Sequence, residues 1–495
     1  MKKYLLEVTV FLSGAVVMML ELTGSRILAP FVGTSTFIWT SLIGVILASL
    51  SFGYYHGGIE ADKDPSVKRL ARILFWAGIS IGVVAVAHQT VLAGITSWLY
   101  SMRWSAVLSA CILFGIPAYL LGMVSPQAVR IRMKDLSTSG ATIGRLYALS
   151  SVGSIVGTFL VGFYLMSWLG SRNIMFILSG LSLLLALLNQ MNRDTGIALL
   201  IFVAAPFVQS FGKNNLLNII DTEYCAVQVV TGPYPDAQSP VCKIMKVGNE
   251  YSSGMYLDSD SLAFVYSRFY KLMFHFHPNP QNTLLIGGGA YSVPKYFHQV
   301  HPEMHMDVLE IDPALTEIAR KDFRLKTDER LVPIHEDGRI FLNKNKKQYD
   351  VIMGDAYRSL FNIPFHLVTQ EAMEKMATSL KPDGILMVNI LSPVTGPNRD
   401  LLQSMIRTCK AVFPEVKAFK PRVKESPDRV QNIMLVCAKQ TPMYSGSKVS
   451  PEIQSMLAQE IDLKTVGFEN GLVLRDDYAP VEHYAEKMLR SYFHQ

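Results

Sequence analysis

The chain has 495 residues, enough for two or three domains, because a single hydrophobic core rarely grows beyond about 250 to 300 residues. Half of the residues are hydrophobic, only 17% are charged, and the mean hydropathy is +0.25. These values exclude a disordered chain and an ordinary soluble enzyme. The formal charge of +6 is small, and no block of Lys and Arg reaches the density of a nucleic-acid-binding arm, so nucleic acid is not an expected partner.

The long apolar runs lie almost entirely within residues 4–211, whereas the rest of the chain has a normal globular composition. We therefore expect a multi-pass transmembrane domain over 1–215 and a soluble domain over 216–495. A spanning helix needs about 20 apolar residues, and seven segments qualify. They are 5–29, 36–57, 71–92, 104–128, 143–169, 172–190 and 196–212, of which the last is the weakest.

Basic residues flank these segments unequally. If the spans alternate, one side carries Lys2, Lys3, Lys63, Lys68, Arg69, Arg72, Arg130, Arg132, Lys134, Arg145 and Arg193, and the other carries Arg26, Arg103, Arg172 and Lys213. This bias predicts a cytoplasmic N-terminus. Seven spans place the soluble domain outside and six keep it inside, so segment 196–212 decides the side; the charge bias favours outside.

The soluble domain opens with two β-like runs, 224–230 and 241–248, joined by a turn-rich segment. This pattern predicts a β-hairpin within residues 216–260. Cys225 and Cys242 lie at equal distances from the expected centre of the hairpin. A cross-strand disulfide and two reduced cysteines are both compatible with that spacing. No metal-ligand motif is present, so no metal site is expected.

Residues 261–495 alternate between apolar runs and helix-like stretches. Near-continuous apolar strands that alternate with helices are typical of a parallel sheet covered on both faces. The sequence therefore predicts a doubly wound, Rossmann-like α/β domain of the methyltransferase type. The predicted strands are 283–289, 306–312, 331–338, 349–355 and 384–390.

The distinctive polar and glycine residues fall where these strands end, which is where doubly wound sheets bind ligands. Gly287, Gly288 and Gly289 end the first strand, and a glycine turn there lets a ligand approach the backbone. Glu310 ends the second strand, 21 residues after Gly289, near the spacing of about 20 at which a carboxylate meets ribose hydroxyls.

Two further strands also end in carboxylates. Asp337, followed by Gly338, ends the third strand, and Asp355 ends the fourth. Each carboxylate alone is compatible with a helix N-cap or a surface acid. Together the three indicate a nucleoside site. The dinucleotide pattern G-x-G-x-x-G is only partly met, which argues against NAD.

At these residues the sequence resembles the spermidine synthase family, specifically bacterial proteins in which such a domain is fused to membrane helices. The resemblance covers about 220–440 and extends to the first apolar segment and the C-terminal motif. The matching stretches are LSGAVVMMLELTGSRILAPFVGTS (12–35), HPNPQNTLLIGGG (277–289), LEIDPAL (309–315), HEDGRIFL (335–342), YDVIMGDAY (349–357), LKPDGILMVN (380–389) and DDYAPVE (476–482).

The resemblance implies transfer of an aminopropyl group from decarboxylated S-adenosylmethionine to a diamine, with release of methylthioadenosine. It places Gly287 to Gly289 under the sulfonium nucleoside, Glu310 on the ribose hydroxyls and Asp337 on the adenine amino group. Asp355 matches the first acid of the family's D-x-x-D loop, where a carboxylate stabilises a cation and accepts a proton. The adenosyl sulfonium is a co-substrate, and no tightly bound cofactor is expected.

The sequence departs from the family on the substrate side. The second acid of the loop is replaced by Arg358, and Gly-Gly-Gly-Asp-Gly becomes Gly-Gly-Gly-Ala-Tyr at 287–291. Where the family has a Tyr-x-Glu segment, the chain reads Val265, Tyr266 and Ser267. Tyr266, Tyr357 and Arg358 are the expected substrate-side residues, and the acceptor is left open because two expected acids are missing.

Three functions remain open. The first is an aminopropyltransferase-like enzyme anchored in the lipid bilayer, with a polyamine-type acceptor. The second uses intact S-adenosylmethionine at the same nucleoside site, as a methyltransferase or a lyase. The third is a sensor or transporter whose soluble domain binds a nucleoside or a polyamine without turnover. Assembly into a homo-oligomer is also open.

Overall fold

The structure is a computed structural model. It describes residues 4–32, 36–99, 102–133, 139–189, 219–234, 240–248, 250–277, 279–356, 363–441 and 449–493. The chain forms two compact units, Met1–Ala226 and Val227–Gln495. The boundary lies near the predicted division between an apolar and a globular part.

The first unit is helical. Its described residues contain six spans long and apolar enough to cross a membrane, at the positions of the first six predicted segments. The predicted seventh segment, 196–212, lies outside the described residues. The helices are α1 (Leu5–Val32), α2 (Thr36–Lys63), α3 (Val67–Trp98), α4 (Met102–Gly122), α5 (Val124–Arg132), α6 (Ser139–Leu160) and α7 (Met166–Asn189), with a π-helical turn (Val161–Leu165) between α6 and α7. A short strand, β1 (Ile219–Asp221), follows.

Small residues bring two of these helices together. A Cβ atom added at Gly153 or Gly157 of α6 would collide with the backbone of α1 at Phe11 and Ala15. Glycine removes that obstacle and lets the two backbones approach closely, which is how helices in a bilayer gain packing contacts without a hydrophobic driving force. These glycines therefore serve helix packing.

The second unit opens with three antiparallel strands, β2 (Ala226–Pro233), β3 (Val241–Val247) and β4 (Glu250–Tyr256). Cys242 lies opposite Gly232 in the register, and Cys225 precedes β2. The expected centre of the hairpin was wrong because β2 extends to Pro233, which moves the turn toward the C-terminus. The register therefore does not place the two cysteines opposite each other.

A seven-stranded sheet with the order β10-β11-β9-β8-β5-β6-β7 forms the body of this unit. Strands β9, β8, β5, β6 and β7 are parallel, whereas β11 runs antiparallel to both of its neighbours. The sheet is therefore mixed and not wholly parallel as expected. Its strands are β5 (Asn282–Ile286), β6 (His305–Leu309), β7 (Leu331–Ile334), β8 (Tyr349–Gly354), β9 (Leu380–Ser392), β10 (Glu415–Phe419) and β11 (Gln431–Ala438).

Helices cover both faces of this sheet. Every residue of β8 is buried, as expected for a central strand with helices on both sides. The helices are α8 (Val265–Arg268), α9 (Met273–Phe276), α10 (Ser292–Val300), α11 (Pro313–Asp322), α12 (Gly338–Lys344), α13 (Gln370–Thr378), α14 (Asp400–Lys410), α15 (Pro451–Leu457), α16 (Leu463–Val466) and α17 (Val481–Phe493). The carboxyl ends of β5 to β8 meet at one edge of the sheet, where the expected site residues lie.

Candidate active site

A glycine turn follows β5. Gly287 has φ of 103° and Gly289 has φ of 52°, conformations that side chains rarely adopt. A Cβ atom at Gly287 would lie 2.5 Å from the carbonyl oxygen of Asp355. The Asp355 amide in turn donates to the Ile286 carbonyl at 2.8 Å. Glycine is thus required for the end of β5 to pass beside the end of β8.

The carboxylate of Glu310 holds this turn in place. Its Oε2 accepts from the amides of Gly288 and Gly289 at 3.1 and 3.0 Å, and its Oε1 accepts from the Asp312 amide at 3.0 Å. The side chain is buried. A carboxylate oxygen can accept more than one hydrogen bond, so these contacts are compatible with a ribose hydroxyl as a further donor.

One departure from the family pattern lies at the end of the glycine turn. Tyr291 occupies the left-handed region with φ of 58°, where the family pattern has glycine. Its ring is fully buried beside Gly288, and its hydroxyl pairs with Thr316 Oγ1 at 2.8 Å. Burial and this hydrogen bond offset a backbone strain of about 1 kcal/mol.

Asp337 is the N-cap of α12. Its Oδ1 accepts from the amides of Arg339 and Ile340 at 2.9 and 3.0 Å, while His366 Nε2 lies 3.5 Å from its Oδ2. Gly338 follows, and a Cβ atom there would lie 3.0 Å from the side chain of Ile286. Asp337 therefore caps α12 through Oδ1, as the N-cap alternative expected. The absence of a side chain at Gly338 lets α12 lie close to the end of β5.

Asp355 is held by two side chains. The Tyr266 hydroxyl donates to its Oδ2 at 3.3 Å, and Asn389 Nδ2 donates to its Oδ1 at 2.9 Å. Burial raises the pKa of Asp355 to about 7, while the hydrogen bonds from Asn389 and Tyr266 lower it. A group with this pKa exchanges a proton readily at neutral pH.

Tyr266 belongs to α8, the short helix that follows the small sheet. Burial, together with the charge of Asp355, raises its pKa well above the usual value, so it is a neutral donor. Tyr266 and Asp355 line one narrow cavity together with Ser253, Phe264 and Ser292. Ser267, at the acid position of the family's Tyr-x-Glu segment, donates its hydroxyl to the Phe264 carbonyl at 2.7 Å.

The structure brings most of the expected site residues to one edge of the sheet. The glycine turn contacts Glu310 and Asp355 directly, and Tyr266 reaches Asp355. Tyr357 and Arg358 lie outside the described residues. Sequence reasoning missed Asn389, although a lone Asn in the apolar run GILMVNI is a signal. It also missed Ser253, whose hydroxyl accepts from the Ala290 amide at 3.1 Å.

A known family matches the middle part of the second unit. Residues 264–445 match the family profile of the spermine/spermidine synthase domain. This part of the chain is a spermidine synthase domain. It contains the glycine turn, Glu310, Asp337 and Asp355, and the helical N-terminal unit lies outside it. The resemblance inferred from the sequence motifs is thereby confirmed.

Curated relatives of the spermidine synthase domain carry the name polyamine aminopropyltransferase. The protein from Vibrio vulnificus is 32% identical over 163 residues, which are 32% of this chain and 52% of the relative. The protein from Streptococcus uberis is 30% identical over 184 residues, which are 35% of this chain and 63% of the relative. The chain thus spans less than two thirds of the length of these relatives.

Among solved structures, spermidine synthase from Thermotoga maritima aligns with 51% of this chain and 87% of its own, at 18% identity and a TM-score of 0.38.

Proposed function

We propose that this chain is a membrane-anchored transferase that moves an aminopropyl group from an adenosyl sulfonium to an amine and releases methylthioadenosine. The observation that carries the proposal is the position of Asp355, which lies beside the glycine turn and is hydrogen-bonded by Tyr266 and Asn389. The match to the spermidine synthase domain supports the same reaction class.

The proposed reaction is a displacement at carbon. The lone pair of a neutral amine attacks the methylene carbon of the aminopropyl group that is bonded to the sulfonium sulfur. A carbon–nitrogen bond forms, and the bond between this carbon and sulfur breaks. Its electron pair returns to sulfur, so methylthioadenosine leaves uncharged. The ammonium product loses a proton to Asp355, whose pKa of about 7 suits a general base at neutral pH.

The nucleoside would bind along the carboxyl ends of the strands. We assign the sulfonium nucleoside to the turn of Gly287, Gly288 and Gly289 and the ribose hydroxyls to Glu310. Asp337 would receive the adenine amino group on Oδ2, because Oδ1 is occupied by the backbone of α12. Tyr266 supports the proposed acceptor side through its contact with Asp355.

The six apolar helices support anchoring in a lipid bilayer. We propose a multi-pass inner-membrane protein with a cytoplasmic N-terminus. Six spans leave the spermidine synthase domain on the cytoplasmic side, where adenosyl sulfoniums are made, whereas a further span at 196–212 places it outside. The charge bias and the apolar character of 196–212 favour the outside.

Methylthioadenosine release tests the proposal. Full-length protein in lipid nanodiscs should form methylthioadenosine from decarboxylated S-adenosylmethionine only when an amine acceptor is added. Asp355→Asn should slow release by about 10²-fold or more. Asp477→Asn, which removes the same charge from an exposed position, should not slow it. Binding of the nucleoside with no release under any acceptor would favour a sensor or transporter.

Arg358 favours a second candidate, a reaction of intact S-adenosylmethionine at the same site. A guanidinium can grip the two oxygens of the methionine carboxylate, which the decarboxylated form lacks. Methylthioadenosine formed from intact S-adenosylmethionine without any amine would indicate a lyase. S-adenosylhomocysteine as the product would indicate methyl transfer.

A further inference from the structure

Two asparagines on neighbouring strands form a hydrogen-bond chain that ends at Asp355. Asn432 Nδ2 donates to Asn389 Oδ1 at 3.1 Å, and Asn389 Nδ2 donates to Asp355 Oδ1 at 2.9 Å. Asn389 is buried in β9, whereas Asn432 is half-buried in β11. The chain crosses three adjacent strands of the sheet.

The strand register explains why these side chains meet. Gly354 of β8 pairs with Val388 of β9, so the next residues, Asp355 and Asn389, lie side by side. Met434 of β11 pairs with Asn389, and Asn432 is two positions away. Residues two apart point to the same face of a sheet, so Asn432 and Asn389 are diagonal neighbours on one face.

The direction of the two hydrogen bonds has a chemical consequence. An amide group has a donor end and an acceptor end, and only the donor end suits an ionised carboxylate. Because Asn432 donates to the oxygen of Asn389, the nitrogen of Asn389 is directed at Asp355. Without that donor, Asn389 can turn its oxygen to Asp355, an arrangement that requires a protonated carboxyl group.

We propose that Asn432 is a positioning residue that acts through Asn389 to keep the donor end of its amide on Asp355 and so favours the ionised form of this carboxylate. This inference rests on the proposed function, in which Asp355 is the general base. It extends the site to a residue that touches neither the cavity nor Asp355.

The groups that face Asp355 are few among the described residues. Tyr266 of α8 contacts its carboxylate, and Tyr270 donates to the neighbouring Gly354 carbonyl at 3.4 Å. The glycine turn presents backbone to it, and β9 presents Asn389. The segment 357–362, which carries Arg358, lies outside the described residues. Tyr266 stays neutral at neutral pH, so within this set Asp355 is the group that titrates there.

Two substitutions at position 432 separate orientation from packing. Asn432→Asp places an acceptor where the donor stood, which forces Asn389 to turn its nitrogen away from Asp355. We expect the acid limb of the kcat profile to move up by about one pH unit. Asn432→Leu removes the hydrogen bond to Asn389 but places no acceptor there. We therefore expect a smaller upward shift of the acid limb of the kcat profile. Asn470→Asp, which adds the same charge at an exposed position, should leave the profile unchanged.

A double-mutant cycle separates the hydrogen-bond chain from simple charge repulsion. If Asn432 acts through Asn389, Asn432→Asp should cause no further shift in an Asn389→Leu background. An equal shift in both backgrounds would overturn the proposal, and so would an unshifted profile in Asn432→Asp.

Infrared spectroscopy measures the ionisation of Asp355 directly, even if the protein releases no methylthioadenosine. The carbonyl stretch of protonated Asp355, assigned by its loss in Asp355→Asn, can be titrated in the full-length protein in nanodiscs. The midpoint should rise in Asn432→Asp. An unchanged midpoint would reject the positioning role whether or not the proposed reaction occurs.

Discussion

The Tyr266 hydroxyl lies 3.3 Å from the Asp355 carboxylate, although 89 residues separate them in the chain. This contact joins the helix that follows the small sheet to the end of β8. It also sets a neutral donor against the carboxylate. A neutral donor moderates the effect of burial on the pKa of Asp355 without cancelling it.

Replacing Asp355 tests its proposed role as the base. Asp355→Asn should lower kcat by about 10²-fold or more, the usual scale for removing a general base, while nucleoside affinity changes little. Glu310 and Asp337 remain to hold the ligand. Rapid-quench kinetics and calorimetry measure the two effects separately. Turnover at the parental rate would show that Asp355 is not the base.

The Tyr266 contact predicts a shift in the pH profile. Activity should rise with pH as Asp355 loses its proton near pH 7. Tyr266→Phe removes a donor that favours the ionised form, so the pKa of Asp355 rises and the acid limb of the kcat profile moves upward. We expect about half a pH unit because the hydrogen bond is long. A profile shifted downward would contradict this account.

Glu310→Gln should weaken nucleoside binding before it affects turnover. The amide oxygen can still accept from Gly288 and Gly289, but the amide nitrogen then faces the Asp312 amide, and two donors meet in a buried site. A loss of about 1 to 3 kcal/mol in protein stability is expected from the unsatisfied groups. Thermal unfolding with and without ligand measures both effects. Unchanged affinity would remove Glu310 from the ribose site.

Arg358 predicts a preference between the two sulfonium compounds. If its guanidinium pairs with the methionine carboxylate, intact S-adenosylmethionine binds more tightly than the decarboxylated form. Arg358→Asp should narrow or invert that preference by roughly 1.5 to 3 kcal/mol, the scale of a charged hydrogen bond. Calorimetry with both ligands on both proteins tests this. Tighter binding of the decarboxylated ligand to the parent protein would reject the pairing.

Reporter fusions after residue 215 determine the side of the soluble domain. The charge bias and a seventh span predict active alkaline phosphatase and dark fluorescent protein at this position. A fluorescent fusion together with inactive phosphatase would place the domain in the cytoplasm. Segment 196–212 would then not cross the membrane.

Much of this fold follows from local sequence pattern. Apolar runs such as 283–289 and 349–355 predicted β5 and β8 because central strands are buried on both faces. The position of Glu310 at the end of the next strand followed from the same periodicity. Alternation with helices predicted the parallel direction of β5 to β9. The antiparallel direction of β11 was not predicted, because this strand lies beyond the predicted alternation, which ends at residue 390.

The remaining parts of the site depend on strand register, which residue spacing does not encode. Asn389 and Asn432 become neighbours only once Met434 pairs with Asn389. The backbone contacts of Glu310 likewise depend on the conformation of the glycine turn. The hairpin centre inferred from the spacing of Cys225 and Cys242 was wrong for the same reason, because the extent of β2 was not predicted.

Isotope tracing tests the central claim most directly. The full-length protein in nanodiscs would be given decarboxylated S-adenosylmethionine labelled with ¹³C in the aminopropyl carbons, together with an amine, and the products separated by mass. We expect labelled carbons in the amine and an equal amount of unlabelled methylthioadenosine, both formed about 10²-fold or more slowly in Asp355→Asn. An amine that stays unlabelled while the sulfonium is bound or cleaved would contradict aminopropyl transfer.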